Sequence, residues 1–482
     1  MKKLIFFAIN IFFSFIFTQK SPELYNFHKL HNQINYLTGT VPEPGMSLSF
    51  NFHGMFNSGH ANLENQSEIT SPGKYSAFFS SRYSFSSKFF FVELEPFLIN
   101  HKSLNDETKP AETFDYNNHH LSGHQFKEKK MGIRQSRISI HYKYIGLSYG
   151  KMSHWWGPGS HSSIVLSSNS PSQISYTFGT LKTLKFKKIS YAFDLLIMPY
   201  QSQSDKQLYF SGLNAKFIYN SDPIIELGFQ RTYLSGDQIQ NNTVGIDKWN
   251  FNDAVSLVFE PLFSRSKRNY RYTQDGTPGF DIWDQVLSGY FKLTFPEDNL
   301  NIFVSLASDD ARGNLSDLKA HWDHTLGYQI GLQKNSNFYP FQISFLTEYL
   351  SLKTSNTFNP LFYRGDPNAH SFYTKSDYDH FTYKSRRMGA HSGTSSDDLI
   401  FMVSIYNEYQ GYVFSYGIER RGIKSKIYPE KSVEIDFTFY KNISKSKRFF
   451  VNLEYETINN LNFIEYRISD SLIGWFGVSF NI

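Results

Sequence analysis

Trp155 and Trp156 run directly into Gly157-Pro158-Gly159 in a chain with only 6 tryptophans. Proline fixes its own φ and glycine tolerates positive φ, so the segment forms a rigid corner that holds two indoles. Rings held in this way suit one of two tasks, anchoring at a membrane interface or offering flat faces to a ligand. His154, His161 and Asn169 sit on the same stretch and add polar groups, the histidines with a charge that changes near pH 6–7. Far downstream, Tyr383, Arg386, Arg387 and His391 make a second cluster whose adjacent guanidinium forks suit carboxylates.

Plainer roles compete for the same residues. The indoles could be interfacial belt residues, and Arg386 and Arg387 could brace carboxylates such as Glu434 or Glu454. Basic runs at Arg265–Arg271 and Lys384–Arg387 read most simply as solvated loops. His321-Trp322-Asp323-His324 has metal-like spacing without a third defined ligand, and His119-His120 with His124 is similar. Ser162 near His154 and His161 raises a membrane-embedded hydrolase, but no nucleophile elbow or orienting acid accompanies them. No phosphate-binding Gly-rich loop, nucleotide fingerprint or zinc pattern is present.

The elements that must position these residues are strands. Among 482 residues there are 48 Phe and 32 Tyr, yet the mean hydropathy is −0.42. Apolar residues are therefore interleaved with polar ones. In 75–85 the odd positions are mainly aromatic or apolar and the even ones mainly Ser and Arg. Val433, Ile435, Phe437 and Phe439 alternate with Glu434, Asp436, Thr438 and Tyr440, and Phe449, Val451, Leu453 and Tyr455 with Phe450, Asn452, Glu454 and Glu456. The pattern recurs near 137–149, 189–198, 224–233, 286–295, 300–308, 341–350, 411–418 and 472–482, giving roughly eighteen to twenty segments of about ten residues. Tyr and Phe at segment ends, together with charges in mid-strand on the other face, favour a transmembrane barrel with a wet lumen over a soluble sandwich or propeller. Closure removes the sheet edges that hydrocarbon cannot satisfy.

The ends and the charge fix the context. Lys2 and Lys3 precede an apolar run over Leu4–Phe17, which reads as a signal peptide over 1–19; a short N-terminal anchor is the alternative. Ser21-Pro22-Glu23 starts a short amphipathic helix with Leu24, Phe27, Leu30, Ile34 and Leu37, so 20–44 is a helical segment and a possible plug. The barrel is expected over 45–482. Cysteine is absent, which excludes disulfides, thiolate metal sites, a cysteine nucleophile and a lipoprotein anchor. A formal charge of +5 is modest for this length and points to no nucleic-acid partner. Long polar connections are expected at 101–130, 235–250, 264–283, 309–324 and 353–398. Alternating long and short connections leave 264–283 on the wrong side.

Trp155-Trp156-Gly157-Pro158-Gly159, followed by Ser163-Ile164-Val165-Leu166-Ser167-Ser168-Asn169-Ser170-Pro171, resembles the signature of the Wzi family of outer-membrane capsule assembly proteins. Ser168 stands where that family has Asn, and Ser170 where it has Ala. Tyr378, Tyr383, Arg386, Arg387, Met388, Gly389, His391 and Gly393, then Asp397 and Asp398, are similar to its Tyr-rich Gly-Arg-x-x-Gly-His-x-x-Gly segment, with Ser385 in place of the first Gly. The resemblance implies an eighteen-stranded barrel that acts as a lectin for capsular polysaccharide without covalent chemistry. Better-known members have a larger helical region ahead of the barrel than the one short helix that fits here.

The expectation is thus an all-β transmembrane outer-membrane barrel of about 18 antiparallel strands with one short N-terminal helix, in the outer membrane of a Gram-negative bacterium. It would bind capsular or extracellular polysaccharide, acidic polymers included, and help assemble or retain it. The alternative is a passive or substrate-selective porin. The candidate ligand contacts are Trp155, Trp156, His154, Asn169, Tyr383, Arg386, Arg387 and His391. Neither catalysis nor a cofactor is expected, and the barrel would be a monomer embedded in outer-membrane lipid.

Overall fold

The computed structural model describes residues 45–481 except 61, 63, 66–72, 104–128, 182, 203–204, 237–254, 256–257, 260–261, 263–269, 273–277, 282–283, 310–325, 354–371, 375–379, 385, 424–425 and 445. The expected signal peptide and N-terminal helix lie outside the described residues, as do His119, His120, His124 and His321–His324.

Nineteen strand segments form one antiparallel sheet. Gln173–Thr180 and Leu184–Phe186 both pair with Ile189–Gln201 and make a single interrupted stave, so the barrel has eighteen. The first strand, Gly45–Asn57, pairs with the last, Ile468–Asn481, and closes the barrel. Closure satisfies every edge, as the membrane interior requires. The protein is an outer-membrane β-barrel.

The period-2 pattern reads out directly as the two faces. In Glu430–Ser444, Ile435 and Phe437 point outward at 41% and 40% exposure, while Glu430, Ser432, Asp436 and Thr438 are buried inside. In Lys447–Asn459, Leu453 and Tyr455 face out, and Phe450, Asn452, Glu454 and Glu456 face in. Part of the inner wall is apolar, with Met55, Phe78, Phe450 and Trp475 packed in one cluster. Phe89, Tyr142, Tyr144, Phe338, Tyr339 and Tyr409 are exposed around one rim, an aromatic girdle at the lipid–water boundary.

That rim carries short turns, such as 87–89, 143–144, 187–188 and 407–409, and the opposite rim carries the longer connections. Two expectations change here. The segment 137–149 is not one strand but parts of two, Lys129–Tyr142 and Ile145–Met152, joined at Lys143-Tyr144. Lys143 takes φ 53° without the Gly or Asn that marks such turns, so the alternation runs on through the corner. The stretches 235–250 and 264–283 belong to one connection, between Ile224–Gly236 and Asp284–Phe295. It contains a separate short pair, Tyr270–Tyr272 with Pro278–Asp281. Counting it once puts all long connections on one side, the outside for barrels of this type.

Candidate functional site

Parts of three outer connections turn into the lumen. Described residues 58–65, 153–172 and 372–396 are mostly buried there. Their backbones need polar partners in place of water, and the loops supply these to one another. Asn169 Nδ2 donates to the Arg387 carbonyl at 3.0 Å. Its Oδ1 accepts from the Asn65 N–H at 3.3 Å and from Arg386 Nη2 at 3.5 Å. Ser167 N–H donates to the Met388 carbonyl at 2.8 Å, and its hydroxyl to the Gly389 carbonyl at 2.5 Å. Tyr373 O–H donates to the Ile164 carbonyl and accepts from the Ala390 N–H. The two sequence clusters, more than two hundred residues apart, are thereby one body. Gly389 is required by that contact, since a Cβ there would stand 2.4 Å from the Ile164 carbonyl oxygen.

The Trp-Trp corner is built as its sequence implies but sits in the interior. Gly157 has φ 149°, and a Cβ on Gly159 would meet Gln329 Nε2 at 2.2 Å. Trp155 is 5% exposed and donates its indole N–H to the Gly159 carbonyl at 2.9 Å. Trp156, 3% exposed, bridges by its backbone to Leu166 and hydrogen-bonds through its indole to Asp194 on the wall. Its ring lies so close to Gly212 that a Cβ there would come within 2.9 Å. Ile164, Leu166, Met198, Phe210 and Met388 complete the apolar packing around it. Neither indole lies on the lipid face, so these rings are not interfacial belt residues.

His154 bonds through Nε2 to Ser175 Oγ at 2.9 Å. Burial, with Arg137 nearby, pushes its pKa down to about 3, so the ring is neutral. Arg387 is fully buried; its guanidinium donates to the Tyr373 and His380 carbonyls and lies 5.9 Å from the Tyr373 ring centre. Burial and Arg387 hold His380 down at about 4. The solvated-loop reading of Lys384–Arg387 therefore fails at Arg386 and Arg387, which are buried. Glu434 and Glu454 are bridged by Asn62, whose Nδ2 donates to both, at 3.1 and 2.8 Å. Of the eight candidate contacts, Tyr383 alone is more than marginally exposed. It packs edge-on against Tyr200, at the outer end of Ile189–Gln201, with ring centres 5.9 Å apart.

Spacing had no means of revealing two further features. Glu348, on Phe341–Ser351, accepts successive backbone N–H groups of Ser160, His161 and Ser162 at 2.6, 3.1 and 3.4 Å, and Gln329 Nε2 at 3.1 Å. The carboxylate clamps the turn that follows the Trp corner. Beside it, Glu64, His161, His391 and Asp398 converge from three loops and one strand, all buried. The His161 and His391 rings meet edge to face at 4.8 Å. Arg421 contacts Glu64 at 3.3 Å and also pairs with Glu419. Ser162 Oγ makes no hydrogen bond among the described residues, and His154 turns to Ser175 instead, so no Ser–His pair for hydrolysis is assembled there.

No protein-family model matches the sequence, and no curated relative matches it in sequence. In structure the chain is similar to Wzi of Escherichia coli, an outer-membrane carbohydrate-binding β-barrel involved in group 1 capsule assembly. The TM-score is 0.57 at 12% identity, covering 89% of this chain and 83% of that one. At this identity the likeness carries the fold, an outer-membrane barrel of eighteen strands. OpdK of Pseudomonas aeruginosa, solved with vanillate, matches at TM-score 0.44 and 9% identity over 91% of this chain and 98% of that one. OccAB2 of Acinetobacter baumannii matches at 0.45 and 10%, over the same shares. These lower scores add nothing to the fold assignment.

Proposed function

We propose that this protein is a plugged outer-membrane barrel that binds an extracellular polysaccharide at its outer face and helps assemble or retain it at the cell surface. The reading rests on the lumen: the Trp-Trp loop and the Tyr-Arg segment are hydrogen-bonded into one buried body that is clamped to the wall by Glu348. A solute channel needs a continuous wet path, whereas a polymer too long to enter needs only a fixed outer surface. The barrel fold shared with carbohydrate-binding Wzi makes polysaccharide the first ligand to test.

On this reading Tyr383 touches polymer. Its ring is partly exposed near the outer mouth, and Lys384 Nζ lies 5.3 Å from its centre, an arrangement suited to an acidic sugar. His154, Trp155, Trp156, Asn169, Arg386, Arg387 and His391 contribute by fixing the plug on which Tyr383 rides. Each contact is weak, and a long polymer gains avidity by spanning many barrels.

The test uses cells that lack the protein, complemented with wild type or Tyr383→Ala, together with purified barrel in planar bilayers. Wild type should retain surface polymer and conduct no steady current. Tyr383→Ala should shed polymer into the medium while still inserting. A steady open-channel conductance in wild type, with polymer retained in the absence of the protein, would leave the porin reading in its place.

A further inference from the structure

We infer that Glu64, His161, His391 and Asp398 form a binding site for a divalent transition-metal ion of the zinc type. His161 Nε2 stands 3.1 Å from Asp398 Oδ2, His391 Nε2 stands 3.3 Å from the same oxygen, and His391 Nε2 stands 3.4 Å from Glu64 Oε2. Zinc binds imidazole nitrogen and carboxylate oxygen at about 2.0–2.2 Å, so neighbouring donors on a tetrahedron around it lie about 3.3–3.5 Å apart. The three separations fall close to those edges. One ligand atom from each of Glu64, His161 and His391 also lies within 4.8 Å of the other two.

A second observation points the same way. Asp398 Oδ2 is buried, and this one carboxylate oxygen is shared by two ring nitrogens within 3.3 Å of it. A bound ion would share this oxygen with both rings in place of the protons that otherwise lie between them. An outer layer is in place as well. Arg421 supports Glu64, and the Asn65 amide lies 3.2 Å from His391 Nδ1. Asn65 Nδ2 also donates to the His161 carbonyl at 2.9 Å, so one amide ties together the two segments that carry the histidines. Two imidazoles with two carboxylates are borderline donors, which suit zinc and its neighbours and not calcium or magnesium. The ligands come from all three infolded segments and the strand Asp397–Tyr406, so the ion would tie the plug to the wall.

The full chain, purified in detergent, stripped with chelator and dialysed against zinc chloride alone, should hold about one zinc per chain by elemental analysis. Cobalt in its place should give the intense visible bands of a tetrahedral site. Asn65→Ala should weaken zinc binding about tenfold or more, and His161→Ala with His391→Ala should bring it to background. Retention of the folded form is checked by heat-dependent gel mobility. Three results overturn the inference: no zinc above a detergent blank in the folded stripped wild type, an octahedral cobalt spectrum, or unchanged zinc affinity in the folded double variant. Should the double variant not fold, the wild-type zinc content and cobalt spectrum decide the matter alone.

Discussion

Asn169 reaches across 218 positions to donate a hydrogen bond to the backbone carbonyl of Arg387 at 3.0 Å. One side chain from the first sequence cluster thus satisfies the main chain of the second, while its oxygen serves Asn65 from the first loop. Three loops with little regular structure among their described residues are locked by polar groups that have left water together. Such groups are expensive to leave unpaired.

Asn169→Ala should therefore loosen the plug while leaving the barrel inserted. It strands the Arg387 carbonyl and the Asn65 N–H, at about 1–3 kcal/mol for each buried group. Protease added to intact cells should cut within 153–172 or 372–396 in the variant and not in wild type. Equal resistance in both would show that Asn169 is not the hub.

Glu348→Ala should remove the clamp on Ser160, His161 and Ser162. Hydrogen bonds to a charged acceptor are worth about 1.5–3 kcal/mol each, so the turn after the Trp corner should open often enough to appear as transient current steps in a planar bilayer. Glu348→Gln keeps an acceptor without the charge, and its steps should be rarer. A silent Glu348→Ala barrel would contradict the clamp.

Gly389→Ala should disrupt the junction through sterics alone. The new Cβ would meet the Ile164 carbonyl oxygen at 2.4 Å, a backbone atom with little freedom to move. A fall in unfolding midpoint together with loop proteolysis is expected; wild-type behaviour in both would refute the close approach.

His154 makes the stability of the plug depend on pH. Its pKa lies near 6.5 in the unfolded chain and about 3 in the folded one. Between these values the unfolded chain binds the extra proton. The contribution of neutral His154 is thus fully present above pH 6.5 and is lost progressively as pH falls toward 3. His154→Asn should flatten this part of the pH profile of unfolding relative to wild type, and parallel profiles would rule out the histidine as its source.

Leu453→Arg tests the lipid face. Leu453 is 48% exposed on the outer row of Lys447–Asn459, where a cation costs about 2–4 kcal/mol near the bilayer midplane. Insertion yield should fall. The same change at an outer-loop position should have little effect.

Strand alternation, the aromatic rim and the rigidity of the Trp-Trp corner were all legible in the chain, because each depends on neighbours one to four residues away. Ile435 and Phe437 face lipid and Asp436 faces the lumen simply because successive side chains on a strand point to opposite faces. The turn at Lys143-Tyr144 was not legible, since it carries no distinctive turn residue, and 235–250 and 264–283 were legible as polar connections but not as parts of one. The inward fold of the loops was even less so. Trp155, Trp156, Arg386 and Arg387 look like surface contacts by residue type, and only the tertiary structure makes them interior. Partners that permit their burial, Asp194 for Trp156, Asn169 for Arg386 and Tyr373 for Arg387, lie tens to hundreds of residues away. Side-chain type by itself sets what a residue can bond to. Whether water or another loop supplies that bond is decided when the barrel closes and brings distant segments into one lumen.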